Sequence, residues 1–265
     1  MPAANNGADR DLLAHAVRDA GAIAKAAFGT KPKTWEKSKG NPVTETDLTV
    51  NLRLHELLLG ARPGYGWLSE ESADDPERLT KTRVLIIDPI DGTLAFIKDK
   101  PEFTICAAVS ENGRPVAAAI FNPLTEEMFA AALGAGATLN GKRIAVSDTA
   151  ALEGSRMLVA KDVIGHPAWP QAWPTMTVAN RSSIAYRMAL VASAQFDSMM
   201  SLSSKHEWDI AAGDLIVREA GGRVTSHTGT DLTYNQTVPR LRSVICAGPA
   251  MHDAILERTR DIKLP

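Results

Sequence analysis

Four apolar residues, Val84-Leu85-Ile86-Ile87, run directly into Asp88-Pro89-Ile90-Asp91-Gly92-Thr93. The apolar run reads as a buried strand, which the rest of the fold must cover. Asp88 stands where that strand is expected to end, and Pro89 is expected to stop its ladder. Asp91 reads as the N-cap of a helix opening near Gly92. The segment thus aims two carboxylates and several backbone N–H groups at one point. Carboxylate oxygens collect hard divalent cations, and N–H groups at a helix start collect phosphate. A metal beside a phosphate is the core of a phosphoryl-transfer or phosphate-hydrolysis site.

The 265 residues make one large domain or two small ones, and 45% hydrophobic content is enough for a substantial core. Net charge is −2 with no basic block, so neither nucleic-acid nor membrane-surface binding is expected. Cys106 and Cys246 each lie in an apolar run and read as buried thiols, not a disulfide. Met1 to Asp9 has no apolar stretch of the signal-peptide kind, and no run is long enough to span a membrane. A cytoplasmic location is the default expectation.

Residues 1–8 read as loose, followed by helices over Asp9–Phe28 and Thr46–Leu59, with a short strand over Lys31–Lys37 and a polar loop over 37–46 between them. Residues 74–81 read as a charged surface loop. Thr104–Ser110, Pro115–Asn122 and Glu126–Ala132 read as an antiparallel meander, and 134–144 as irregular with an Asn140-Gly141 turn. The second half alternates: helices are expected over Ser182–Ala192, Asp209–Ala220 and Met251–Arg260, with short strands between them. This pattern implies an α/β chain of two packed subdomains, 1–135 and 136–265.

Further carboxylates join the first pair. Glu70 follows a short strand in a Gly- and Ser-rich loop, Asp209 opens a helix in Glu207-Trp208-Asp209, and Asp47 stands at another helix start. Taken singly, Glu70 reads as an exposed acid, Asp88 as a turn residue, and the other aspartates as helix-start acids. Glu71 stays closer to an ordinary surface acid, and Trp208 reads as a core anchor. Taken together, unpaired carboxylates in a partly dry site cost several kcal/mol unless cations compensate. The six histidines lack ligand spacing, so the all-oxygen set points to Mg²⁺, or Mn²⁺ in its place.

Asp88-Pro89-Ile90-Asp91-Gly92-Thr93, Trp208-Asp209-Ile210-Ala211-Ala212 and Glu219-Ala220-Gly221-Gly222, in order with Val43-Thr44-Glu45-Thr46-Asp47 and Ser69-Glu70-Glu71, resemble the inositol monophosphatase superfamily. The resemblance covers about residues 10 to 260. It implies a layered αβαβα sandwich and a lithium-sensitive, Mg²⁺-dependent phosphatase holding two or three ions. It also implies that Glu70, Asp88 and the Ile90 carbonyl hold one metal, and that Asp88, Asp91 and Asp209 hold a second. Thr93, paired with Asp47, would help position and activate the attacking water together with Glu70. The Gly92 and Thr93 amides would receive the phosphate.

Phe96-Ile97-Lys98 and Glu102-Phe103-Thr104 resemble bacterial 3'(2'),5'-bisphosphate nucleotidases, which act on adenosine 3',5'-bisphosphate. Leu94-Ala95 and Tyr186-Arg187 depart from that pattern. The substrate-binding set is then Asp91, Gly92, Thr93, Ser182, Ser183, Arg187, Lys205 and Asp209, with Arg187 and Lys205 as cations for a second phosphate. Inositol-1-phosphate and histidinol-phosphate hydrolysis are the alternatives. A non-catalytic RNA- or protein-binding regulator on the same scaffold is the alternative from another class. Relatives are often dimers, so a homodimer is a further expectation.

Overall fold

The computed structural model describes residues 3–167 and 169–264. Helix α1 (Ala3–Ala27) buries Leu13, Ala16, Val17, Ala20 and Ala24 on one stripe. It begins well before the expected Asp9; residues 1 and 2 lie outside the described residues. The early turns are tied down from a distance: Arg83 donates to Asn6 Oδ1 at 2.8 Å and to Asp9 Oδ2 at 2.7 Å. The expected polar loop over 37–46 is largely a hairpin, β1 (Thr34–Ser38) and β2 (Asn41–Thr44), turning at Gly40 with φ 78°. Its second strand is held by Val43, which is buried.

Helix α2 (Glu45–Ala61) leads to β3 (Gly66–Ser69) and a short 3₁₀ turn over Pro76–Thr80. This turn corrects the expected surface loop. Arg78 is buried, donating to Asp74 Oδ1 at 2.6 Å, Asn235 Oδ1 at 2.6 Å and the Gln236 carbonyl at 2.9 Å. A guanidinium with that many acceptors can be buried where an unpaired charge could not.

Strand β4 (Arg83–Asp91) and helix α3 (Thr93–Ile97) come next. The meander follows as β5 (Thr104–Glu111), β6 (Arg114–Asn122) and β7 (Glu127–Ala132). Beyond it, β8 (Gly136–Leu139) and β9 (Lys142–Arg143) form a hairpin where irregular chain was expected, turning at Asn140-Gly141. Strands β3 to β9 form one seven-stranded sheet in sequence order, so pairing continues past residue 135 to Arg143.

The rest of the chain builds a second sheet. Its parts are β10 (Arg156–Leu158), α4 (Lys161–Ile164), β11 (Thr177–Ala179), α5 (Ile184–Ala192), β12 (Ser198–Ser201) and β13 (Lys205–His206). They continue with α6 (Glu207–Glu219), β14 (Arg223–Thr225), β15 (Arg240–Leu241), β16 (Val244–Ala247) and α7 (Pro249–Thr259). The five-stranded order is β11-β10-β12-β16-β14, with β13 and β15 paired apart.

Alternation along the strands assigns the layers. Leu85, Ile87, Ile105, Ala107 and Phe121 pack toward α1 and α2, whereas Val84, Ile86, Cys106, Ala108 and Ile120 pack toward α5 and α6. In the second sheet Leu158, Met199 and Cys246 join the α5/α6 core, and Met157, Met200 and Ile245 pack with Met251 and Ile255 of α7. The result is the expected αβαβα sandwich. Both cysteines are free thiols, and no helix among the described residues is long and apolar enough to cross a membrane.

The middle helix layer depends on Gly213. A Cβ there would stand 2.7 Å from Met188 Sδ and 2.8 Å from Met188 Cβ, so α5 and α6 are in closer contact than any other residue allows. Gly213→Val is therefore expected to destabilise the fold by ~1–3 kcal/mol through overpacking. Urea denaturation checks this; an unchanged midpoint would show that the two helices separate freely.

Candidate active site

The strand that carries Asp88 does not end there. Pro89 and Ile90 lie in a register shift against β5, with Asp88 opposite Cys106 and Asp91 opposite Thr104. A proline has no N–H for the ladder, and the bulge accommodates it without ending the strand. Gly92 then turns the chain with φ 99° into α3 and is itself the N-cap residue. A Cβ on Gly92 would lie 3.0 Å from the Glu102 carbonyl oxygen and 3.3 Å from the Ser183 nitrogen.

Asp91 is thus not the N-cap of α3, as its sequence position suggested. Its Oδ2 reaches across to the start of α5, accepting from the Ser183 hydroxyl at 2.6 Å and the Ala185 N–H at 2.7 Å. Ser183 is the N-cap of α5 and also accepts from the Tyr186 N–H at 2.9 Å. Because the Ser183 proton goes to Asp91, the Thr104 hydroxyl 2.9 Å away is the donor in that contact.

Two more helix starts deliver carboxylates. Asp47, in the first turn of α2, accepts from the Thr44 N–H at 2.9 Å and hydroxyl at 2.6 Å through Oδ2. This is a capping box. Its other oxygen, Oδ1, accepts from the Thr93 hydroxyl at 3.1 Å. That hydroxyl also lies 3.0 Å from the Ile90 carbonyl, so one proton is shared between two acceptors. Asp209 in α6 accepts the His206 N–H through Oδ2 at 2.8 Å. Trp208 packs against the core and stacks on His206, with ring centroids 4.4 Å apart.

Oxygens of Asp88, Asp91 and Asp209 come within 4.8 Å of one another. Asp88 Oδ1 is buried without a hydrogen-bond partner. Burial first, and then neighbouring carboxylates, pushes Asp88 and Asp209 up from the ordinary aspartate range; burial also raises Asp91, against its bonds to α5. An orphaned anionic oxygen among all-oxygen donors fits a hard divalent cation.

Glu70 stands nearby, and its charge acts on Asp47, Asp88 and Asp209. Its Oε1 is held at 2.8 Å by Lys37 Nζ, which also binds Glu71 Oε1 at 2.8 Å. Lys37 was not a candidate from sequence, and Glu71 was set aside. Lys37 reaches the site only because the β1–β2 hairpin folds toward Glu70; a short strand over 31–37 was expected, but its partner β2 read as a loop.

A cavity of about 440 Å³ contains Ser182, Arg187 and Lys205 in its lining. The structure therefore brings three of the expected substrate-binding residues together. Arg187 donates Nε to the Arg181 carbonyl at 2.6 Å, and Lys205 donates to the Ser203 hydroxyl at 2.9 Å. The Asp91 charge acts on both cations and the Asp209 charge on Lys205, and Ile184, which also lines the cavity, precedes the Ala185 N–H that binds Asp91. Ser183 is different: fully buried and bonded to Asp91, it stands behind the cluster and does not line the cavity. Phe96 and Phe103 are core residues, with rings packed edge-on at 5.1 Å. Thr104 is buried against Ser183.

The chain matches the inositol monophosphatase family over residues 10–264. It is 30% identical over 241 residues to an inositol-1-monophosphatase of Caulobacter vibrioides, covering 87% of this chain and 92% of that one. It is 29% identical over 266 residues to the Nus factor SuhB of Escherichia coli, covering 95% of each. Among solved structures, an IMPase from Thermotoga maritima superposes with a TM-score of 0.81 at 27% identity, covering 95% of this chain and 96% of that one.

Asp88 gives a direct test of the cation assignment. With divalent cations chelated at pH 8, Asp88→Asn is expected to melt above wild type, because one of several repelling charges is gone. Each kcal/mol of relief corresponds to about 2–4 °C at this chain length. Adding Mg²⁺ is expected to raise the melting temperature of wild type well beyond that of the variant. An equal Mg²⁺ response in thermal-shift measurements would sink the assignment.

Proposed function

Because the chain belongs to the inositol monophosphatase family and is a phosphomonoester hydrolase, we propose that it works with Mg²⁺ on a small phosphate ester carrying a second anionic group, adenosine 3',5'-bisphosphate being the preferred substrate. The observation that carries the finer reading is the pair Arg187 and Lys205 lining one cavity, both within the field of Asp91. Two cations held close together repel each other, and burial holds both below their ordinary pKa range. An anion between them relieves both effects.

In this reading Asp88, Asp91 and Asp209, with Glu70 and the Ile90 carbonyl, hold the cations. Bound there, Mg²⁺ supplies charge neutralisation at the phosphoryl group and lowers the pKa of a coordinated water. The remaining roles belong to the chain itself. Thr93, oriented by Asp47, holds the attacking water in line. Gly92 allows close approach of the backbone, and the N–H groups of Gly92 and Thr93 bind phosphoryl oxygens. Lys37 keeps Glu70 and Glu71 from repelling each other at the rim.

Phe96, Phe103 and Thr104, which suggested the nucleotidases from sequence, are buried and report core packing more than substrate. The nucleotidase reading therefore rests on the cavity. Inositol 1-phosphate and histidinol phosphate remain the alternative substrates. A regulatory role without turnover is the second reading, favoured by the likeness to a Nus factor.

Two experiments test this. In a phosphate-release panel with Mg²⁺, wild type is expected to prefer adenosine 3',5'-bisphosphate over inositol 1-phosphate and histidinol phosphate. Arg187→Ala is expected to lose ~1.5–3 kcal/mol in kcat/KM for the bisphosphate, about ten- to a hundredfold, and little for a monophosphate. Preference for either monophosphate would replace the nucleotidase reading, and no release from any ester would favour the regulatory one. Separately, Thr93→Ala is expected to lower kcat more than it raises KM. A change confined to KM would make Thr93 a substrate-binding residue only.

A further inference from the structure

One residue outside the motifs singled out above lines the cavity just described. Leu264 lines the 440 Å³ cavity of Arg187 and Lys205, and it also lines neighbouring cavities of about 260 and 740 Å³. Two other apolar side chains, Val163 of α4 and Leu202 after β12, are shared between the first two. The three line the same cavity as the two cations.

The segment bearing Leu264 is anchored. The Ile262 N–H donates to the Thr259 carbonyl at 3.1 Å, and the Thr259 hydroxyl donates to the His227 carbonyl at 2.8 Å. The buried His227 ring completes the tie. Its backbone N–H donates to Ser243 Oγ at 3.0 Å, and ring Nδ1 lies 2.7 Å from the same oxygen. Nε2 faces the Ile262 carbonyl, which can only accept, so Nε2–H donates there at 3.1 Å. His227 thus fixes the chain two residues before Leu264.

We propose that Leu264 is a specificity-determining residue, its side chain forming the apolar wall against which the alcohol part of the phosphate ester packs. The proposal rests on the phosphatase reading of the adjoining site. The wall restricts the size of the alcohol and leaves the phosphoryl end alone, so it acts on bulky esters and not on small ones.

The experiment has two readouts. In the first, kcat/KM is measured for adenosine 3',5'-bisphosphate, inositol 1-phosphate and glycerol 2-phosphate in wild type and Leu264→Trp. The ratio of the best bulky ester to glycerol 2-phosphate is expected to fall about tenfold in the variant, mainly through KM. In the second, Leu264→Cys is labelled with a thiol reagent, both native cysteines being buried. AMP or inositol 1-phosphate is expected to slow labelling severalfold, and inorganic phosphate is not. An unchanged ratio, or labelling blind to both bulky ligands, overturns the proposal. Protection from labelling without Mg²⁺-dependent release from any ester would instead refute the phosphatase reading and leave the wall standing.

Discussion

The hydrogen bonds from the Ser183 hydroxyl and the Ala185 N–H to Asp91 join the two halves of this molecule at its most charged point. Asp91 ends β4, the second strand of the large sheet, and the groups it binds open the helix that carries Arg187. Without that bond the cations of the cavity have no fixed relation to the carboxylates. The close packing of α5 on α6 at Gly213 then fixes Asp209 relative to both. Chemistry at the site is thus set by packing in the middle helix layer.

The site also shows how several buried acids can coexist in one fold. Asp47, Asp91 and Asp209 each commit one oxygen to the start of a helix: α2, α5 and α6 respectively. Helix N-termini carry partial positive charge and unsatisfied N–H groups, so each helix offsets part of the desolvation its aspartate suffers. Burial still wins for all three, which stay above the usual aspartate range. The second oxygen of Asp47 meets Thr93, and oxygens of Asp91 and Asp209 come within 4.8 Å of Asp88. The fold therefore supplies both the carboxylates and the incentive for a cation to join them.

Much of this was legible in the chain. The periodic stripe of α1, the buried run of β4 and the meander β5–β7 announced themselves through apolar spacing that tertiary contacts merely reinforced. What escaped depended on distant partners. The early start of α1 follows from Arg83, far along the chain. The buried Arg78 needs Asn235 and Gln236, which no local pattern could supply. Lys37 sits on a strand that was expected, but its residues are all exposed, so apolar spacing could not show what its side chain meets. Ser183 and the bisphosphate motif err the other way: polar and aromatic residues near a catalytic sequence read as contacts, and the fold uses them as supports.

The shared duty of the aspartates bears on how such a site persists through descent. Loss of turnover would not release Asp47, Asp91 or Asp209 from selection, since each still holds a helix in place. A lineage that kept the scaffold for some other purpose would go on inheriting them. Asp88 has no such second employer: its buried oxygen serves no helix and meets no donor among the described residues. Drift at that one position, sooner than at the others, would mark a descendant that had given up chemistry.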